Sequence, residues 1–283
     1  MRNLAKAAWL PGMSRRELLF WLAGGVLAVH FLNTLDLTSP ATLLLSLFSA
    51  NLVYCFACFA VIQRLRQSNA AIAATAPETG LTLLGMLATV GVSLFANAYA
   101  IGIMSTLLSL VLICHYRSDP YLRTAGMILA AISVHVLWAP LLFVLLQPML
   151  LVADAAAVSL WLSFLRPDIT LQGQTFAAPG GHAIALIGAC SSFHNISIAI
   201  LAYVSVALLL RKQWLPADVL WLAAIVVIMV MFNVLRIGLV AWSREAYLYW
   251  HDGSGSQWLA LLQTLVLFGV SFWGANAVRR SAA

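Results

Sequence analysis

The most polar patch inside any apolar run of this chain reads Gly188-Ala189-Cys190-Ser191-Ser192-Phe193-His194-Asn195. A second polar intrusion, Asn233-Val234-Leu235-Arg236, interrupts a run that is otherwise aliphatic. A third candidate, His251, lies in a segment rich in tyrosine and tryptophan, ahead of Gly253 and Gly255. These side chains share a chemistry. A thiolate attacks a carbonyl carbon, and a nearby guanidinium or imidazolium favours the thiolate. A guanidinium also donates hydrogen bonds to a tetrahedral oxyanion, and an imidazole protonates a leaving amine. Cys190, Arg236 and His251 are therefore candidate catalytic residues for acyl transfer. Asn233, three residues before Arg236, shares its helix face and can orient it. Ser191, Ser192, His194 and Asn195 are candidate supporting or substrate-site residues, with His194 expected on the same helix face as Cys190. Each residue also has a plainer reading. Buried cysteines are ordinarily small fillers, hydroxylated residues pack membrane helices closely, and an arginine near a helix end can snorkel to the interface.

The remaining titratable groups add less. His182 is a weaker candidate, and His30, His115 and His135 read as structural. Cys55-Phe56-Ala57-Cys58 is a CxxC inside an apolar run, without the strand and helix of a redox fold or a second pair for zinc. The sequence carries no metal-ligand spacing, phosphate loop or nucleophile-elbow motif, so neither a metal nor a cofactor is expected.

The elements that must hold these residues follow from composition. Of 283 residues 63% are hydrophobic and 8% are charged, which excludes both an ordinary soluble domain and a disordered chain. The expectation is an all-α polytopic membrane protein, a single domain over 1–283, with about eight transmembrane helices. Apolar runs place them near 18–36, 41–62, 81–98, 100–114, 125–146, 183–210, 217–241 and 256–278. The stretch 148–165 follows Pro148 and carries Asp154, and it is expected as a separate interfacial or re-entrant helix. The net charge of +6 sits in short clusters beside the apolar runs: Arg15 and Arg16, Arg64 and Arg66, Arg117 and Arg123, Arg211 and Lys212, Arg279 and Arg280. Alternating the eight spans puts all five clusters on one face. They therefore read as topology determinants with both termini cytoplasmic, and not as a nucleic-acid surface. Cys190 then lies roughly 10 Å and Arg236 roughly 7–8 Å below the opposite, extracytoplasmic face at 1.5 Å per residue. With Cys190 beyond the first turn of its helix, the helix dipole is expected to contribute little.

Ala189-Cys190-Ser191, Asn233-x-x-Arg236 and His251 with its following glycines, in that order, resemble the exosortase/archaeosortase family of membrane sorting enzymes. The resemblance is specific over about 175–265 and rests on hydropathy before that. It implies a bundle of about eight helices in a bacterial or archaeal cytoplasmic membrane, with the active site on the extracytoplasmic side. It also implies a cysteine transpeptidase with Cys190 as nucleophile, Arg236 as stabiliser of thiolate or oxyanion, and His251 as acid/base. The implied partners are exported proteins ending in a short motif, a hydrophobic helix and a basic tail, and a nucleophilic acceptor tied to exopolysaccharide or surface assembly. The chain departs from the family pattern at Gly188, where a glutamate is usual, at Ser192, where a glycine is usual, and at His194, where an arginine is common. Two other readings fit the residues alone. One is a transporter or channel with Arg236 and His194 on an anion path; the other is a non-catalytic membrane partner of surface-polymer export.

Overall fold

Backbone amides inside a bilayer have no water to bond, so a spanning segment satisfies them within itself as a helix. The computed structural model of the protein describes residues 17, 19–25, 28, 50–68, 98–211 and 213–281. The spans expected at 18–36 and 81–98 lie largely outside these, as do Arg15, Arg16, Lys212 and His30. Helix α1 is Ala50–Gln67. Helix α2, Ala98–Leu110, runs on into a π turn at Val111–His115. Helix α3 is Pro120–Leu165, α4 is Ser192–Leu210 and α5 is Ala217–Trp242. A short α6, Arg244–Tyr247, and a π turn, Leu248–Asp252, lead into α7, Ser254–Ser281. Among the described residues four helices (α3, α4, α5 and α7) are long and apolar enough to cross a membrane.

The central helix is α4, on which α1, α3, α5 and α7 all pack. Its Leu201, Ala202, Tyr203, Val206 and Ala207 are fully enclosed. Apolar side chains also cover the outside, among them Leu145, Leu220, Met231 and Trp273, as expected when lipid and not water is the solvent.

Two expectations fail in informative ways. The stretch 148–165 is no separate interfacial or re-entrant helix; it continues α3 for 46 residues in all. That is about 69 Å at 1.5 Å per residue, more than twice a hydrocarbon core. Pro148 sits inside the helix without ending it. It removes one backbone bond, but breaking the helix in apolar surroundings would strand several more. Asp154 faces inward and is buried. The all-α expectation fails locally as well. A three-stranded antiparallel sheet forms from β1 Thr170–Gln172, β2 Thr175–Ala177 and β3 Ala183–Ala185, and β3 occupies the front of the span expected at 183–210. Its turns use Gly173 at φ +63° and Gly180 and Gly181 at φ +88° and +83°, a region that only glycine enters freely. Phe176 and Leu186 then pack with Leu151, Ala155, Val158 and Leu162 of α3 and Ile237 and Ala241 of α5.

The opposite end of the bundle is closed by charge. Arg64 donates from Nε and Nη2 to Leu208 O at 2.9 and 2.6 Å, and from Nη2 to Leu209 O at 2.7 Å. It thereby caps the last carbonyls of α4, where a cation also meets the negative end of the dipole. Arg211 pairs with Asp218, which also accepts from Tyr203 Oη at 2.7 Å and from Leu215 N at 2.7 Å. Two of the arginines read as topology determinants are thus buried fastenings of the fold.

Candidate active site

The sheet delivers the chain to a 3₁₀ turn, Gly188–Cys190, and α4 begins two residues later at Ser192. Cys190 therefore does not lie inside a helix roughly 10 Å deep, as its run of apolar neighbours suggested. It precedes the N-terminus of α4, and His194, in the first turn of that helix, does not share a helix face with it. The expectation about the dipole is also overturned: the positive end of α4 lies directly after the thiol. Helix α4 is about 28 Å long at 1.5 Å per residue, close to one hydrocarbon thickness.

Three side chains lock this turn. Asp154 Oδ2 accepts from Ser191 Oγ and from Ser192 N, both at 2.9 Å. Ser191 Oγ caps the helix by accepting from Phe193 N at 3.3 Å. On the α5 side, Asn233 Nδ2 donates to Cys190 O at 2.8 Å and to Ser192 Oγ at 3.0 Å. Asn195 Nδ2 donates to Asn233 Oδ1 at 3.3 Å. All of Ser191, Ser192 and Asn233 are buried. Cys190 itself is half-buried, at the edge of the apolar cluster that α3 and α5 share with the sheet. The structure thus brings together Cys190, Ser191, Ser192, Asn195 and Asn233. Sequence reasoning missed Asp154 as part of the group. Its signal was a lone carboxylate in an apolar run, which by default marks a functional site.

Arg236 is half-buried, one helical turn beyond Asn233 on α5. His251 lies in the π turn that follows α6 and donates from Nδ1 to Asp252 Oδ1 at 2.6 Å. Its ring stacks on Tyr247 at 4.7 Å and 12°. A carboxylate on Nδ1 fixes the ring and leaves Nε2 to exchange a proton, so Asp252 is a second residue that sequence reasoning passed over. Gly253 lets the turn close, since a Cβ there would stand 2.8 Å from Leu248 O. His182, the weaker candidate, reaches Val240 O at 3.1 Å and packs edge-on to Tyr247 at 6.0 Å, so it supports the same loop. Among the described residues no hydrogen bond joins Cys190, Arg236 and His251 to one another. The chain places them on the turn before α4, on α5, and in the connection after α5.

The outer ends of α3 and α5 are also tied. Arg166 forms a two-pronged pair with Asp168 at 2.8 Å, reaches Trp242 O at 3.3 Å and lies 5.0 Å over the Trp242 ring. That pairing holds the Asp168 carboxyl below the usual range. Gly238 accepts the Trp161 ring so closely that a Cβ would stand 2.1 Å from it.

A cavity of about 400 Å³ opens beside the turn between α3 and α4. Phe143 and Phe193, stacked on each other at 6.1 Å, form part of its wall with Gly188, Ala189 and Ser191. Its polar end holds His194 and His135, whose rings are 5.4 Å apart. His135 Nδ1 shares a hydrogen bond with Ser197 Oγ at 2.8 Å, and Ser197 Oγ donates to His194 O at 2.7 Å. His135, read as structural, is thus also a cavity residue. No group of three metal-binding side chains occurs among the described residues.

Neither a curated protein nor a solved structure matches the chain. The family model described as Transmembrane exosortase (Exosortase_EpsH) matches residues 45–270, which takes in every helix from α1 to most of α7 and the whole of the site. The chain therefore belongs to the transmembrane exosortase family.

Proposed function

We propose that this membrane protein is a cysteine transpeptidase that cleaves a C-terminal sorting signal from exported proteins. The observation that carries this reading is the fastening of the Cys190 turn. A thiol that merely filled space would need no such fastening; here buried Asn233 holds Cys190 O and buried Asp154 holds the next two residues, Ser191 and Ser192. The thiolate attacks the scissile carbonyl, and the oxyanion so formed faces the guanidinium of Arg236 and the positive end of α4. As the intermediate collapses, the carbon–nitrogen bond breaks and the imidazolium of His251 gives its proton to the leaving amine. The product is a thioester on Cys190. An acceptor nucleophile, deprotonated by the now neutral His251, attacks that thioester and releases the Cys190 thiolate, which restores the thiolate and imidazolium of the start. Asp252 holds the imidazole ring in the orientation both transfers need.

The substrate fits the surroundings. A signal made of a motif, an apolar helix and a basic tail would lie alongside the exposed apolar faces of the bundle, with its motif level with the Cys190 turn. The 400 Å³ cavity, with Phe143 and Phe193 in its wall, offers room for a side chain of that motif. The site then faces the extracytoplasmic side, and both termini and the arginine-rich end face the cytoplasm. The test is to co-express the full chain with an exported protein bearing such a signal. Cys190→Ala abolishes processing while the protein still accumulates in the membrane; normal processing by this variant would end the proposal.

A further inference from the structure

At the end of the bundle opposite Cys190, a cavity of about 590 Å³ is lined by Arg117, Arg123, Arg211 and Arg279, with Ser118 and Gln213 between them. These arginines come from three separate places: the turn before α3 and its first turn, the turn after α4, and the last turn of α7. Segments that far apart in sequence need not converge for a solvated charge cluster. Arg211 is balanced by Asp218, whereas Arg117, Arg123 and Arg279 have no carboxylate partner among the described residues. The nearest other carboxylate, Asp119, is committed to capping α3 through Tyr121 N and Leu122 N and to Ser68 Oγ. Both Arg211 Nη groups bond Asp218, so the charge left unbalanced on the cavity wall is that of Arg117, Arg123 and Arg279.

We propose that this cavity binds a phosphate-bearing anion, the headgroup of an anionic phospholipid. Forked guanidinium groups match phosphate oxygens two at a time, and four of them around one cavity suit a multiply accepting group better than a single carboxylate. The cavity is far larger than a halide needs. Its Leu215 wall leads directly into α5, where Val219 and Leu220 are 57% and 74% exposed and offer apolar surface to acyl chains. A basic pocket at the membrane boundary between helices is the arrangement that binds acidic headgroups.

The test uses the full chain in detergent, titrated in three arms with dioleoylphosphatidylglycerol, dioleoylphosphatidylcholine and inorganic phosphate, and read by native mass spectrometry and thermal unfolding. The phosphatidylglycerol binds saturably and raises the unfolding temperature, and phosphatidylcholine does not. Arg117→Gln, Arg123→Gln and Arg279→Gln, made singly because all three side chains are exposed, each weaken binding by about fivefold. Arg280→Gln, one residue outside the lining, does not. If inorganic phosphate protects equally and competes, the anion site stands and its source is free phosphate. Equal binding of the two lipids, or binding of phosphatidylglycerol unchanged in all three lining variants, overturns the proposal.

Discussion

Replacing Asp154 by alanine is the sharpest probe of how the thiol is positioned. The carboxylate accepts one hydrogen bond from a backbone N–H and one from a buried hydroxyl, both at 2.9 Å. Hydrogen bonds to a charged group contribute about 1.5–3 kcal/mol each, which sets an upper range of about 3–6 kcal/mol. Removing the carboxylate also removes its own desolvation penalty, so a net loss near the bottom of that range, about 3 kcal/mol, is expected. This loss is local: it unpins the first turn of α4 and the turn bearing Cys190 while leaving Arg64 and the Arg211–Asp218 pair at the far end untouched. A displacement of about 1 Å at the reacting atom costs roughly a hundredfold in rate. Asp154→Ala should therefore lower processing of a co-expressed sorting substrate by about two orders of magnitude while lowering the unfolding temperature only moderately. Asp154→Asn, which keeps an acceptor of the same shape, should recover most of the processing. The assay is the ratio of cleaved to uncleaved substrate at matched membrane levels of the enzyme. Processing at the unaltered rate by the alanine variant would refute the reasoning, since the buried carboxylate would then have no part in placing the thiol.

Three further outcomes follow from the same geometry. Asn233→Leu strands Cys190 O and Ser192 Oγ, so it should cost about 1–3 kcal/mol and should raise the labelling rate of Cys190 by an alkylating thiol probe, with Cys55 and Cys58 as internal references. Asp252→Asn should slow processing at least tenfold without affecting accumulation. The drop stays well short of the roughly ten-thousandfold seen when a buried triad carboxylate is replaced, because the His251 and Asp252 side chains are 39% and 55% exposed. Gly238→Ala forces the Trp161 ring away from α5 and should destabilise by about 1–3 kcal/mol, measured as a lower unfolding temperature, with partial recovery in the Gly238→Ala, Trp161→Leu double variant.

Much of this protein was legible in its sequence because lipid makes simple demands. Apolar runs of the right length tend to become helices in lipid, so α5 and α7 stand near 217–241 and 256–278 as the hydropathy requires, while α4 takes only the part of 183–210 from Ser192 on. The polar residues inside those runs announced themselves as costly, and Cys190, Ser191, Ser192, Asn195 and Asn233 do meet. Local rules failed where two elements decided an outcome together. Strands of three residues carry too few alternations to register as a pattern, and they form here because Phe176 and Leu186 find α3 and α5 to pack on. Proline and aspartate within 148–165 looked like interruptions, yet the helix continues through both, since the aspartate has the N-terminus of α4 to accept from. That contact moves Cys190 from the interior of a helix to its positive end. Sequence alone determined that the chain is built of apolar helices, and it singled out a thiol, a guanidinium and an imidazole as candidates for one site. Only the tertiary structure decided which groups hold the thiol in place, because the partners of residues 190–192 are residues 154 and 233, some forty positions away on either side.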